Sequence, residues 1–108
     1  MQMLDDVIKL ISRSYAKDSY GVLKPTSTER EIFTRVESIT RQEFYEAGRS
    51  GLNPAFKFLV FAEDYQDEGV CEYNGKKYAV YRTYRVPDSD YLELYVQREG
   101  GVNGGQNN

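Results

Sequence analysis

Hydrophobic and polar positions follow two periods along this chain, and the period of two dominates. Tyr91 to Arg98 (YLELYVQR) alternates cleanly, with Leu92, Leu94 and Val96 on one side and Tyr91, Glu93 and Tyr95 on the other, the signature of a half-buried strand. Arg30 to Ser38 repeats the pattern with Ile32, Thr34 and Val36 sharing a side. Val7 to Arg13 (VIKLISR) is short and β-branched and reads as a first strand, with less regular alternation. Ala55 to Ala62 (AFKFLVFA) is the most hydrophobic stretch: Phe56, Phe58 and Val60 fill one face, while Leu59 and Phe61 make the other apolar too. A strand apolar on both faces is either sandwiched within the fold or turned toward a partner. Cys71 to Tyr78 carries Asn74-Gly75 between two β-prone runs, which calls for a type I′ hairpin because both turn residues tolerate positive φ. On the return strand, Tyr78 to Val86, the residues Tyr78, Val80, Tyr84 and Val86 share a face that Arg82 interrupts.

Between these strands lie segments of turn chemistry. Asp18 to Thr28 holds Gly21, Pro25 and a Ser/Thr cluster and is expected to be a loop, since Pro25 cannot donate to a central ladder. Glu63 to Gly69 is expected to be a solvated acidic loop, and Pro87 to Asp90 a tight turn. The one helical period falls at Thr40 to Ala47. Thr40 stands three residues before Glu43 in a capping-box pattern, Phe44 and Ala47 are at helical spacing, and Gly48 is a stop signal. A helix of about two turns is too short to stand alone in water. The expected fold is therefore mainly β. About six antiparallel strands curl into a small barrel or sandwich, with one short helix between the second and third strands. Residues 1–99 form one domain, and the Gly/Asn-rich tail at 100–108 is expected to be flexible.

Composition narrows the chemistry. The 108 residues include ten Tyr, five Phe and no Trp, material for half-buried strands and interfaces. The net charge is −3, and the deficit lies in the C-terminal half, so no basic face for gripping nucleic-acid phosphates is apparent. There is no His, which excludes Ser-His-Asp and Cys-His catalysis and histidine zinc sites. Cys71 stands alone, so neither a disulfide framework nor a thiolate metal cluster is expected. No segment has the roughly 20 apolar residues of a membrane span, and the N-terminal run MQMLDDVIKLISRS does not read as a signal peptide. Catalytic residues, metal and cofactor are all expected to be none.

The order of motifs resembles a known family. Val36-Glu37-Ser38-Ile39 runs into Thr40-Arg41-Gln42-Glu43-Phe44-Tyr45-Glu46-Ala47; a strand to Val60 follows, then Tyr73-Asn74-Gly75-Lys76-Lys77-Tyr78-Ala79-Val80 and a last strand, Tyr91 to Arg98. Over about residues 5–99 this is similar to the head–tail joining (head-closure or stopper) proteins of long-tailed bacteriophages. The resemblance implies a small β-barrel that forms a homo-oligomeric ring, usually a dodecamer, between the portal and adaptor above and the tail protein below. Such a ring retains packaged DNA, offers the tail a docking surface and opens for DNA ejection. The DNA passes through without sequence recognition. It implies a virion protein at the head–tail interface, present in the host cytoplasm during assembly and monomeric in isolation, whether the phage is free or a prophage. The loop between the second and third strands would line the channel as a gate, here about Ile39 to Pro54. Its candidate residues are Thr40, Arg41, Glu43, Phe44, Tyr45, Arg49 and Gly51. Leu59, Phe61, Tyr91 and Tyr95 are the candidate subunit or partner contacts. The alternative is a small cytoplasmic β-barrel interaction module that uses the same apolar face without forming a ring.

Overall fold

The computed structural model describes residues 3–99. Six strands alternate in direction around a closed barrel: β1 (Asp6–Lys17), β2 (Leu23–Glu37), β3 (Pro54–Phe61), β4 (Val70–Tyr73), β5 (Lys76–Arg85) and β6 (Tyr91–Arg98). The order around the barrel is β1-β2-β3-β6-β5-β4, and β4 returns to β1 to close it. One helix, α1 (Arg41–Arg49), lies between β2 and β3, as expected, and a short 3₁₀ turn (Ala62–Asp64) follows β3.

The alternating residues build the interior. Phe58, Val60, Leu94 and Val96 from adjacent β3 and β6 pack against Ile8, Leu10, Ile32, Cys71 and Tyr78. Register explains the partnership: Phe58 lies opposite Leu94 and Val36, and Leu10 opposite Cys71, which lies opposite Tyr78. Phe56, Phe58, Tyr73 and Tyr78 meet edge to face with centroids 4.9–6.4 Å apart, the geometry that aromatic quadrupoles favour. Thr34 is fully buried among these apolar neighbours, and its hydroxyl donates to the Leu59 carbonyl at 2.9 Å, so its polar atom is satisfied. The Cys71 thiol is buried in the same core, and burial pushes its pKa up to about 12. The hairpin at Asn74-Gly75 has φ of 53° and 76°, as a type I′ turn requires.

Three expectations are corrected. First, β1 does not stop at Arg13, and Asp18 to Thr28 is not a loop. β1 and β2 stay paired residue for residue as far as Lys17 and Leu23. Pro25 is tolerated because β2 pairs with β3 only over Arg35 to Glu37, leaving its other edge open where Pro25 lacks a donor. The actual turn is Asp18 to Val22, tied by Asp18 Oδ1, which accepts from the backbone N–H groups of Val22 (3.0 Å) and Tyr20 (2.8 Å). Those bonds lower the Asp18 pKa. The paired strands therefore leave the barrel as a two-stranded arm. Its free part, Ser12 to Lys17, is about 20 Å long at the usual strand rise. The radius of gyration is 15.5 Å, against about 13 Å for a compact chain of this size, and the arm accounts for the excess.

Second, Arg82 breaks the face of β5 because the strand bulges there. Val80 lies opposite Val96 and Arg82 opposite Tyr95, so Tyr81 is an extra residue and the alternation changes sides. Third, the acidic loop is not simply solvated. Glu68 is buried, and Arg30 Nε and Nη2 donate to its Oε2 at 2.9 and 2.6 Å. Arg30 also donates to the Asp64 carbonyl (2.7 Å), Gln66 N–H donates to Glu68 Oε1 (2.8 Å), and the Tyr65 hydroxyl donates to the Glu68 carbonyl (2.7 Å). Burial alone would raise the Glu68 pKa. The Arg30 and backbone hydrogen bonds outweigh it and hold the pKa below the usual value. The loop is thus folded around one ion pair, with Tyr65 packed on the core cluster.

The expected flexible tail at 100–108 lies outside the described residues. A solvated loop would tolerate loss of Glu68, whereas a loop organised by its carboxylate would not. Glu68→Ala should lower the unfolding free energy by about 1–2 kcal/mol in a denaturant titration, through the part-buried hydrogen bonds to Arg30 and Gln66 that are lost. A change within about 0.5 kcal/mol would place the charge in solvent.

Candidate functional site

The segment from Ile39 to Asn53 leaves the end of β2 and returns to β3 carrying α1. Thr40 is the N-cap, and its hydroxyl accepts from the Glu43 N–H at 3.1 Å. Gly48 is inside the helix rather than its stop. The helix ends at Ser50, and Gly51, at φ +83°, is the residue that turns the chain left-handed, with Leu52 N–H returning to the Ala47 carbonyl at 3.1 Å. The stop signal is displaced by three residues because positive φ, not the mere presence of glycine, ends a helix this way.

Half of the capping-box reading holds. Glu43 does not appear among the donors' partners at the N-cap; its carboxylate reaches across to β5 instead. Glu43 Oε2 accepts from the Tyr81 hydroxyl at 2.9 Å, and Oε1 accepts from Arg82 Nη2 at 2.6 Å. The bulge explains how two successive side chains of a strand both reach one carboxylate on the same side of the sheet. Arg82 in turn lies 3.9 Å above the Tyr95 ring, and the Tyr95 hydroxyl donates to Glu93 Oε1 at 2.7 Å. Lys57 closes the network by donating to Glu93 Oε2 at 3.1 Å. Burial works to lower the Lys57 pKa, but the Glu93 hydrogen bond and charge prevail and raise it. One continuous polar chain therefore joins α1, β5, β6 and β3.

This network corrects two of the expected contact residues. Leu59 and Tyr95 are on the outer face of the sheet, as the alternation requires, yet they are only 3% and 7% exposed. They are covered within this chain and are not available to a partner. Phe61 and Tyr91 remain half-buried and stack at 5.4 Å with their planes 22° apart. The gate residues divide in a complementary way. Arg41, Arg49 and Gly51 are exposed, as are Phe44 and Tyr45, which touch each other edge to face at 5.9 Å. Of the helix only Ala47 is buried. A cleft of about 260 Å³ lined by Glu46, Ala47, Ser50 and Leu52 with Tyr81 and Arg82 lies between α1 and β5. Gly51→Pro, neutral if judged by core role alone, is ruled out as a gentle probe because proline cannot adopt φ +83°.

The part of this site that pattern reading misses is its anchor. Tyr81, Arg82, Glu93 and Lys57 look like ordinary solvent-face residues, and only the break in alternation at Arg82 marks the spot. Among the described residues no group of three or more Asp, Glu, Cys or His side chains is placed to hold a metal ion.

The network makes stability sensitive to alkali. Burial, then hydrogen bonding to Glu43 and Glu93, raises the pKa of Tyr81 and Tyr95 respectively above the ordinary 10.0. A group with a raised folded pKa contributes its stability below the unfolded pKa and loses it as pH rises through the folded one. Melting temperature should therefore hold to about pH 9.5 and fall above about pH 10. Tyr81→Phe should melt lower at pH 7 and show a shallower alkaline decline; an unchanged alkaline slope would detach Tyr81 from the effect.

No protein-family model matches the chain, and no match is found among the curated proteins.

Proposed function

We propose that this protein is a structural component of a bacteriophage head–tail connector, a head-closure protein that assembles as a ring, retains packaged DNA and presents a surface to the tail. The observation that carries this reading is the segment between β2 and β3. It is anchored at both ends to a closed barrel, exposes an aromatic pair and two arginines, and is held midway by a single carboxylate. Elements that move in function come from the weakly held part of a fold. The order of motifs along the chain, matched to the same class in the sequence, adds to it. Charge is compatible: α1 carries two bases against two acids, one of which is engaged by Arg82, so sliding DNA would meet little phosphate attraction.

In this reading residues 39–53 face the channel of a ring, usually twelve-fold, with portal and adaptor on one side and the tail on the other. Glu43 then acts as a latch. Closed, it keeps α1 on the barrel; released, it frees a segment hinged at Gly51. No catalytic step is involved. An interaction module without a ring is the competing reading, and the exposed Phe44–Tyr45 pair would serve it equally well.

Assembly separates the two. Cognate heads completed with Glu43→Gln should retain a smaller fraction of their DNA than heads completed with the parent, since the latch loses its charge. Arg49→Ala, an exposed change, should melt within about 2 °C of the parent and alter ejection rather than folding. The fraction of DNA-filled heads and the melting temperature of each variant are the readouts. Variants that fold normally and retain and eject DNA like the parent would make α1 a passive cover of the barrel.

A further inference from the structure

The arm is the element that the barrel does not explain. From Ser12 to Glu29 every residue except Asp18 is exposed, on both faces of the ribbon. Two strands with no third strand and no buried face are marginal in water. The arm nonetheless carries Tyr15, Tyr20, Val22 and Leu23 at 72%, 89%, 53% and 60% exposure. Its internal ties are a knot at Asp18, which also pairs with Lys24 at 3.4 Å, and the Ser14–Thr26 hydroxyl pair at 3.0 Å; its base is tied to Glu99, just after β6, by both terminal nitrogens of Arg13 at 2.9 Å. These hold its shape without covering its apolar tip.

Where β3 finishes and β5 turns into β6 lies an open groove of about 450 Å³. Phe61, Ala62, Glu63, Arg85 and Asp90 line it, and Tyr91 stacks on Phe61. The two features have opposite charge. Residues 12–28 carry three bases against one acid, with Arg13 paired to Glu99 and Lys24 to Asp18, and residues 61–68 with 85–91 carry six acids against one base, with Glu68 paired to Arg30. The arm of the same molecule does not fill this groove, since its tip is exposed.

We infer that the occupant is a second copy of this chain: the basic, tyrosine-bearing tip of one arm seats in the acidic, Phe61-lined groove of its neighbour. Arm and groove are different patches of one molecule. The contact is therefore head-to-tail, and such a contact closes into a ring when the rotation permits. The Tyr20 ring and the Val22 and Leu23 side chains supply the apolar area, and Lys17 and Lys24 face Glu63 and Asp90. The inference rests on the ring reading for its purpose, but the contact itself depends only on these two surfaces. Steering by opposite charge fixes its register more than its strength, so the isolated protein stays monomeric at micromolar concentration and pairs when crowded.

Mixed single-cysteine variants test this directly. Cys71 is fully buried with its thiol pKa at about 12, so it does not compete for oxidation. Tyr20→Cys and Glu63→Cys proteins mixed at millimolar concentration under mild oxidation should give the mixed disulfide in preference to either homodimer. Lys17→Glu with Lys24→Glu in the Tyr20→Cys chain should reduce that product about tenfold, and Asp88→Lys with Asp90→Lys in the Glu63→Cys chain should restore it. Predominance of the Tyr20→Cys homodimer, a mixed product indifferent to charge reversal, or no mixed product would each overturn the contact. Heads that carry the protein while no mixed product forms would leave the connector reading standing without this interface. The mixed product, with heads indifferent to Glu43→Gln, would leave the interface standing without the gate.

Discussion

The barrel closes through four residues. β4 pairs with β5 over its whole length and with β1 over Lys9, Leu10 and Ile11 only, and this short ladder turns an open six-stranded sheet into a ring. Closure encloses Ile8, Leu10 and Cys71 with Phe58, Val60, Leu94 and Val96, and it pairs the strand edges within the barrel, leaving open those of the arm. Closure also fixes what is left over. β1 and β2 are longer than the barrel uses, so their excess emerges as the arm at one end. The connection from β2 to β3 is longer than a turn needs, so its excess lies outside the sheet as α1.

The two leftovers are held differently. The arm is held by its own ladder and has nothing beneath it. α1 has the sheet beneath it and almost no buried surface of its own, so its attachment falls to the Glu43 carboxylate between Tyr81 and Arg82. That attachment reaches deep, because Arg82 leans on Tyr95, and Tyr95 and Lys57 share Glu93. Networks of this kind couple elements more strongly than isolated surface pairs do, since each member orients the next. The helix is thereby joined to three strands of the barrel. The same arrangement gives a marginal two-turn helix a defined seat.

The alternation of apolar residues made the barrel legible. Leu94 and Val96 are fully buried, Ile32 and Thr34 face inward as their spacing requires, and Asn74-Gly75 makes the hairpin it signals. What alternation does not carry is whether the outer face is covered. Leu59 and Tyr95 read as outward residues free for a partner, yet this chain buries them, because outward on a sheet means solvent only where nothing is laid over it. Long-range ion pairs are equally silent: Arg30 and Glu68 are 38 residues apart, and nothing local distinguishes Glu68 from the acids around it. The arm was hidden by its composition. Pro25 and the Ser/Thr cluster are turn formers in general, but a ribbon with wet faces and a free edge accommodates both. Of the candidate site, the helix and its cap were readable from Thr40 and Glu43, whereas the target of Glu43 was not.

The central claim concerns where this chain sits and what its β2–β3 connection faces. A reconstruction of the head–tail junction of phage particles assembled in the presence of this chain tests the proposed role most directly. The account predicts a ring of copies of this barrel between the portal–adaptor assembly and the tail, with α1 and residues 39–53 lining the central channel. Particles lacking the chain, or a ring in which α1 faces outward and the channel is lined by other strands, would contradict it.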